Sequence, residues 1–172
     1  INSKDATAQG NLGLALKLAG RLQDALKVLE GALALDPNSS KNEFCRGQVL
    51  VKLKRLDEAV MAFRRTLELR PDDPAAYQFL GQTLSDLGRL EEALRAHEKA
   101  LELQPDQADH YGNIAGTLCY LKRHSEISPF VETALRLQPG HQVALLSRID
   151  ALLAAGTHDP GSIKRATRLG MG

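Results

Sequence analysis

A fixed period of 34 residues organises this sequence. Prolines that could end a repeated unit recur at that interval, at Pro37, Pro71, Pro105 and Pro139. Leucines keep the same register in three separate columns, one of which contains Leu16, Leu50, Leu84, Leu118 and Leu152. A period in this range is typical of a solenoid built from one repeated helix–turn–helix unit. The sequence therefore predicts four repeats, at about residues 6–39, 40–73, 74–107 and 108–141.

Within each unit the apolar residues have helical spacing. In the first repeat Leu22, Ala25, Leu26 and Leu29 recur three and four residues apart, which places them on one face of a helix. The proline that follows stops this helix, because it has no amide donor and disfavours helical geometry in the residue before it. We expect an all-α fold that forms a single domain over residues 1–172, with a partial fifth repeat and a capping helix at 142–172.

The third repeat carries the residues of a known pattern, namely Tyr77, Leu80, Gly81, Leu84, Ala93, Ala100 and Pro105. Their order and spacing resemble the tetratricopeptide repeat (TPR). The resemblance implies a right-handed α-solenoid of tandem TPR repeats. It also implies that the first helix of each repeat lines a concave groove in which protein or peptide partners bind.

Steps of 34 residues transfer the groove positions of the third repeat to the other repeats. The candidate partner-binding residues obtained in this way are Leu14, Lys17, Phe44, Gln48, Val51, Gln78, Gln82, Ser85 and Tyr120, and Asn11 and Asn113 are added from a neighbouring column. The same steps give Val143, Leu146 and Asp150 on the fifth first helix. Side-chain amides can pair with both donors and acceptors of an extended peptide, and Phe44 offers an apolar anchor. Lys99 and Glu102 are expected on the outer surface instead.

Two TPR subtypes can be compared at these positions. The carboxylate clamp of chaperone-binding members is absent, since its places hold Gly10, Leu14, Cys45, Ala75 and Phe79. Asn11 and Asn113 partly resemble the asparagine ladder of O-linked N-acetylglucosamine transferase. The main hypothesis is a non-catalytic protein–protein interaction scaffold. The alternative is the substrate-recruiting TPR region of a larger enzyme, such as a glycosyltransferase.

The motifs that usually carry catalysis are missing from the sequence. The five histidines have no metal-ligand spacing, and there is no phosphate-binding glycine loop and no nucleophile elbow. Charged residues make up 25% of the chain and leave a net charge of +1, which disfavours general binding of polyanions. We expect no enzyme activity, no catalytic residue, no metal site, no cofactor and no nucleic-acid partner.

The cysteines and the apolar runs of the sequence bear on its cellular context. Cys45 and Cys119 lie in different repeats without a CxxC motif, which favours reduced, structural thiols. No apolar run approaches the roughly 18 residues of a membrane helix. We expect no membrane insertion and a cytoplasmic location, although a signal segment or a catalytic domain could lie outside this stretch. The oligomeric state is left open. A short basic helix at residues 162–169 is expected to be a solvated end.

Three repeats contain residues that depart from the pattern. The second has Arg46 where leucine is expected and Lys54 where its neighbours have glycine. His97 falls in the apolar column of the second helices and is interpreted as a half-buried packing residue. Pro129 predicts that the second helix of the fourth repeat either starts late, with Ser128 as its cap and Pro129 as its first residue, or carries a kink. In both cases we expect this repeat to be looser.

Overall fold

The computed structural model describes residues 3–154, and every regular element in that range is helical. The chain divides into two compact units, Ile1–Leu87 and Gly88–Gly172, called unit 1 and unit 2 below. Unit 1 contains α1 (Ser3–Leu18), α2 (Leu22–Leu35), α3 (Ser40–Lys52), α4 (Leu56–Leu69) and α5 (Pro74–Asp86). Unit 2 contains α6 (Leu90–Leu103), α7 (Ala108–Tyr120), a 3-10 turn (His124–Glu126), α8 (Ser128–Leu137) and α9 (Gln142–Ala154). The predicted basic helix lies outside the described residues, and the single-domain organisation stays a prediction.

Four of the first helices end at a residue in the left-handed region of backbone space. These residues and their φ angles are Gly20 (76°), Lys54 (62°), Gly88 (74°) and Lys122 (58°). The amide of the next residue then bonds back to the helix, as Arg21 N–H does to the Leu16 carbonyl at 2.9 Å. Glycine favours this C-cap because it has no Cβ. The lysines therefore hold a strained conformation at the same turn.

An arginine follows that turn and pairs with an acidic residue three positions later. The pairs are Arg21–Asp24, Arg55–Glu58, Arg89–Glu92 and Arg123–Glu126. The hydrogen bond from Arg55 lowers the pKa of the Glu58 carboxyl, and the bond from Arg123 does the same to Glu126. The acid also lies in the first turn of the helix, where the dipole favours negative charge. In the first three repeats the pair lies at the start of the second helix, whereas in the fourth it lies at the 3-10 turn that precedes α8.

The core of unit 1 depends on two close approaches at glycine. A Cβ on Gly13 would lie 2.6 Å from Leu29, and a Cβ on Gly47 would lie 2.6 Å from Phe63. Leu29 and Phe63 are fully buried second-helix residues. Glycine in the first helix thus lets the second helix pack directly against its backbone. Ser39 and Asp73 cap α3 and α5 by accepting from the amides of Asn42 and Ala76.

The core of unit 2 combines an apolar cluster with buried imidazole. Its buried apolar members are Leu94, Ile114, Ala115, Leu118, Ile127 and Val131. His97 on α6 is 1% exposed and His110 on α7 is 2% exposed, so the expectation that His97 is half-buried was wrong. Burial, with the nearby His110 contributing, lowers the pKa of His97 to about 4. Both rings are therefore neutral packing residues near neutral pH.

The second helix of the fourth repeat starts late, as Pro129 predicted. Helix α8 has 10 residues, whereas α6 has 14. The N-cap position is held by Ile127, whose backbone is already helical, and not by Ser128. Ser128 is the first helical residue, and its hydroxyl bonds to Glu132 at 3.3 Å. The assignment of Ser128 as cap was therefore wrong, because the preceding 3-10 turn leads directly into the helix.

Candidate functional site

The first helices of the repeats, called A helices below, carry all eleven candidate residues. In unit 1, α3 contacts both α1 and α5 directly. Asn11 and Gln82 are exposed, whereas the other unit 1 candidates are half-buried: Leu14, Lys17, Phe44, Gln48, Val51, Gln78 and Ser85. We call the surface formed by these nine side chains the unit 1 face. None of its members belongs to the buried core.

Polar members of the unit 1 face are bonded to one another. Lys17 on α1 donates through Nζ to Oε1 of Gln48 on α3, and Lys41 donates to Oδ1 of Asn11 at 3.1 Å. These bonds link adjacent A helices. The amide of Gln48 therefore has its oxygen engaged and can offer its N–H groups to a partner. The sequence placed these residues on one surface but did not predict the bonds between them.

Phe44 belongs to an aromatic cluster. Its ring centroid lies 5.8 Å from that of Phe63 on α4 and 5.4 Å from that of Phe79 on α5, the second pair being edge-to-face. Phe79 itself is 37% exposed. In the sequence, Phe79 was noted only as a residue that departs from the carboxylate clamp. It follows the groove position Gln78 by one residue, and this placement was the signal that it adds apolar surface beside Phe44.

In unit 2 the A helices α7 and α9 contact each other directly. Of the candidates there, Asn113 is half-buried and Tyr120 is 74% exposed. Beside Tyr120 lies a cavity of about 300 Å³, whose lining includes Gly116, Cys119, Tyr120, Val143, Leu146 and Asp150. We call this cavity the α7/α9 pocket. It contains several positions that steps of 34 residues place in the groove.

His141 holds the start of α9 against α7. Its Nδ1 accepts from the amide of Ala144 at 3.2 Å, and its Nε2 lies 3.0 Å from Oδ1 of Asp109. The ring fits there because Gly112 has no side chain, since a Cβ would come within 2.1 Å of the imidazole. His141 occupies the same repeat position as the caps Ser39 and Asp73. That column was the signal by which the sequence could have identified it as a cap.

Among the described residues, little indicates metal binding or cysteine chemistry. Within residues 3–154 no group of three metal-ligating side chains comes together. Both cysteines are free thiols, and burial raises the pKa of each. No described helix has the length and apolar character needed to cross a membrane.

Comparisons with known proteins agree with this architecture. Two family models of the tetratricopeptide repeat match residues 39–106 and residues 2–40. Together they span residues 2–106, which is more than half of the 172 residues. None of the curated proteins compared with the chain matches it.

Solved structures of TPR proteins superpose on most of the chain. The structure of YrrB, described as a TPR protein with an unusual peptide-binding site, is 20% identical, with a TM-score of 0.86 over 98% of this chain and 88% of that chain. A structure of the MamA protein is 18% identical, with a TM-score of 0.89 over 98% and 91%. MamA 41-end from Desulfovibrio magneticus RS-1 is 24% identical, with a TM-score of 0.75 over 80% and 77%. The predicted fold class, an all-α array of tandem helix–turn–helix repeats, is confirmed.

Proposed function

Because the chain belongs to the tetratricopeptide repeat family, we propose that it is a non-catalytic scaffold that binds an extended protein or peptide segment on its A helices. The observation that carries the proposal is the unit 1 face, where side-chain amides and an ammonium group lie beside the exposed edge of Phe79. Groups of this kind bind without reacting. They match a ligand that offers backbone hydrogen bonds and occasional apolar side chains.

The unit 1 face is held in place before a partner arrives. Gln48 is tethered by Lys17, and Gln82 donates to Oδ1 of Asp86 at 3.1 Å. A side chain that is already ordered loses less conformational entropy when it binds, and that entropy costs about 0.5–1.5 kcal/mol for each flexible side chain. The tethers therefore favour binding by the amides.

A peptide is the ligand class that the chemistry of this face favours. Amides accept and donate at once, so they can bond to the alternating N–H and C=O groups of an extended backbone. The description of YrrB as a protein with a peptide-binding site supports the same ligand class. Lys99 and Glu102 on α6 are exposed and ion-paired with each other, and they offer a reference surface outside the A helices.

The test begins with a phage-displayed library of random 12-residue peptides selected on the whole chain. The most enriched peptide is then synthesised with a fluorophore and titrated by anisotropy. Gln48→Ala combined with Gln82→Ala is expected to weaken it at least about tenfold, because two hydrogen bonds contribute about 1 kcal/mol each. Lys99→Ala combined with Glu102→Ala is the matched control and should change affinity less than about twofold.

Phe44 is left intact in this test because it also packs on Phe63 and Phe79. Its removal would weaken the fold as well as any binding. If the Lys99 and Glu102 changes abolish binding while the glutamine changes do not, the partner binds outside the A helices and the proposal is wrong. Failure of the library to yield any enriched peptide would likewise contradict it.

A further inference from the structure

We propose that the α7/α9 pocket receives one apolar side chain of the partner, and that Asp150 at its rim selects a lysine or arginine next to that side chain. The inference rests on the function proposed above and adds the chemistry of the partner: an apolar residue adjoining a basic one. It comes from the shape, the exposed apolar surface and the unpaired charge of this pocket.

The pocket exists because one column of the repeat changes residue. The column contains Leu14, Gln48 and Gln82 in unit 1, and Gly116 and Asp150 in unit 2. Gly116 has no side chain to fill the space above α7, and a Cβ there would meet only Val143, at 3.2 Å. The volume of about 300 Å³ is at the lower end for ligand pockets and suits a single side chain.

The walls of the pocket are apolar and open to solvent. Leu146 is 62% exposed and Val143 is 40% exposed, and they lie beside the ring of Tyr120. A contiguous apolar surface of this kind with a polar rim marks an interaction site. Tyrosine is well suited to it, because the ring packs while the hydroxyl remains hydrated.

The charge at the rim is negative and has no partner among the described residues. Asp109 and Asp150 are the charged residues at the groove positions of α7 and α9, and Asp109 is engaged by His141. Asp150 is exposed and makes no ion pair within the part of the chain that the structure describes. Its charge reaches into the pocket: burial contributes most to the raised pKa of the Cys119 thiol, a hydrogen bond from the Ser147 side chain opposes the rise, and Asp150 adds to it. A partner cation would remove this unpaired charge.

The test compares peptide selections on the natural chain and on Asp150→Lys, with the same random 12-residue library. The pool from the natural chain should be enriched in an apolar residue next to lysine or arginine, and the pool from Asp150→Lys should replace that basic residue by an acidic one. One enriched apolar–basic peptide should bind Asp150→Lys about fivefold more weakly, and its Lys→Glu version should recover that loss. Two pools with the same charge preference would overturn the role of Asp150.

Pocket occupancy is tested separately by Gly116→Gln, which places the glutamine of the second and third repeats at this position and fills the space. Glutamine is a better helix former than glycine, but its Cβ would lie 3.2 Å from Val143, so urea denaturation must show that the variant remains folded. The apolar–basic peptide should bind at least about tenfold more weakly, as it should to Leu146→Ser. Leu137→Ser, on the exposed surface of α8, is the matched control and should change affinity less than twofold.

Alkylation of Cys119 gives a readout that does not depend on affinity. Saturating peptide should slow the modification of Cys119 at pH 8.5 about tenfold, while the buried Cys45 serves as internal reference. If Gly116→Gln and the peptide both leave their readouts unchanged while Gln48→Ala with Gln82→Ala still weakens binding, the pocket inference is wrong and the proposed function stands. If no peptide is enriched at all, both are wrong.

Discussion

The A helices of unit 1 and unit 2 use the same repeat positions for different chemistry. Unit 1 places Gln48 and Gln82 in a column that unit 2 fills with Gly116 and Asp150. The first pair makes a polar, internally bonded surface, and the second leaves an apolar pocket with a carboxylate at its rim. The buried column that contains Leu50, Leu84 and Leu118 does not vary, because it must fill a fixed space. The fold thus constrains packing positions and leaves the A-helix surface free to specify a partner.

The prediction with the largest expected effect tests whether the cores of unit 1 and unit 2 contribute equally to stability. Leu84 in unit 1 and Leu118 in unit 2 share a column and are 2% and 1% exposed. Leu84→Ala and Leu118→Ala should each lower the free energy of unfolding by about 2–5 kcal/mol, measured by urea denaturation. Gln82→Ala on the unit 1 face is the control and should cost less than about 0.5 kcal/mol. A loss for Gln82→Ala equal to that for Leu84→Ala would show that the faces of α5 are wrongly assigned.

A second comparison concerns one buried column that contains Phe63 in unit 1 and His97 in unit 2. The pKa of His97 is lowered to about 4, so between pH 6.5 and pH 4 the unfolded chain binds a proton that the folded chain does not. Stability from this group is therefore complete above about pH 6.5 and is lost as the pH falls to 4. The loss should approach about 3 kcal/mol.

His97→Phe places the unit 1 residue in unit 2 and provides the control. Urea denaturation between pH 7 and pH 4 should show a smaller acid loss for this variant than for the natural chain. The pKa of His110 is also lowered by burial, so part of the dependence should remain. Identical pH profiles for the two proteins would exclude His97 as a cause.

Helix α8 should open more readily than α6 within unit 2. It has 10 residues rather than 14. Pro129 also lacks an amide donor. Native-state hydrogen exchange should be at least about tenfold faster for amides of residues 124–137 than for their counterparts at 90–103. Slower exchange at 124–137 would show that the fourth repeat is not the looser one.

The sequence predicted correctly the positions at which one residue type must recur. It did not predict the positions at which two residues change together. Arg46 was read alone as a defect in the leucine column. In the structure it forms a 2.9 Å ion pair with Glu43, which is 7% exposed. These two occupy the places of Tyr77 and Leu80, so an ion pair between buried Glu43 and half-buried Arg46 substitutes for tyrosine and leucine. Burial raises the pKa of Glu43 while Arg46 opposes the rise.

Contacts on the A-helix surface depend on the distances between neighbouring helices. A column of equivalent repeat positions does not give those distances. The period predicted the helices and their core faces, because packing positions repeat with the fold. The tether from Lys17 to Gln48 and the edge-to-face contact of Phe44 with Phe79 join neighbouring A helices. They depend on how closely those helices approach, and spacing along one chain does not determine that approach.

The prediction with the smallest expected effect compares the four turns at which glycine and lysine alternate. Lys54 in unit 1 and Lys122 in unit 2 hold φ angles of 62° and 58°, where a Cβ is disfavoured. Lys54→Gly and Lys122→Gly should each raise the free energy of unfolding by up to about 1 kcal/mol, because glycine adopts this conformation without strain. The reverse changes, Gly20→Lys and Gly88→Lys, should lower it by a similar amount, since nothing lies within 4 Å of a Cβ at either glycine and backbone strain alone opposes it. Urea denaturation of the four variants measures both signs. Stabilisation by Gly20→Lys or Gly88→Lys would mean that the turn tolerates a side chain and that the recurrence of glycine there has another cause.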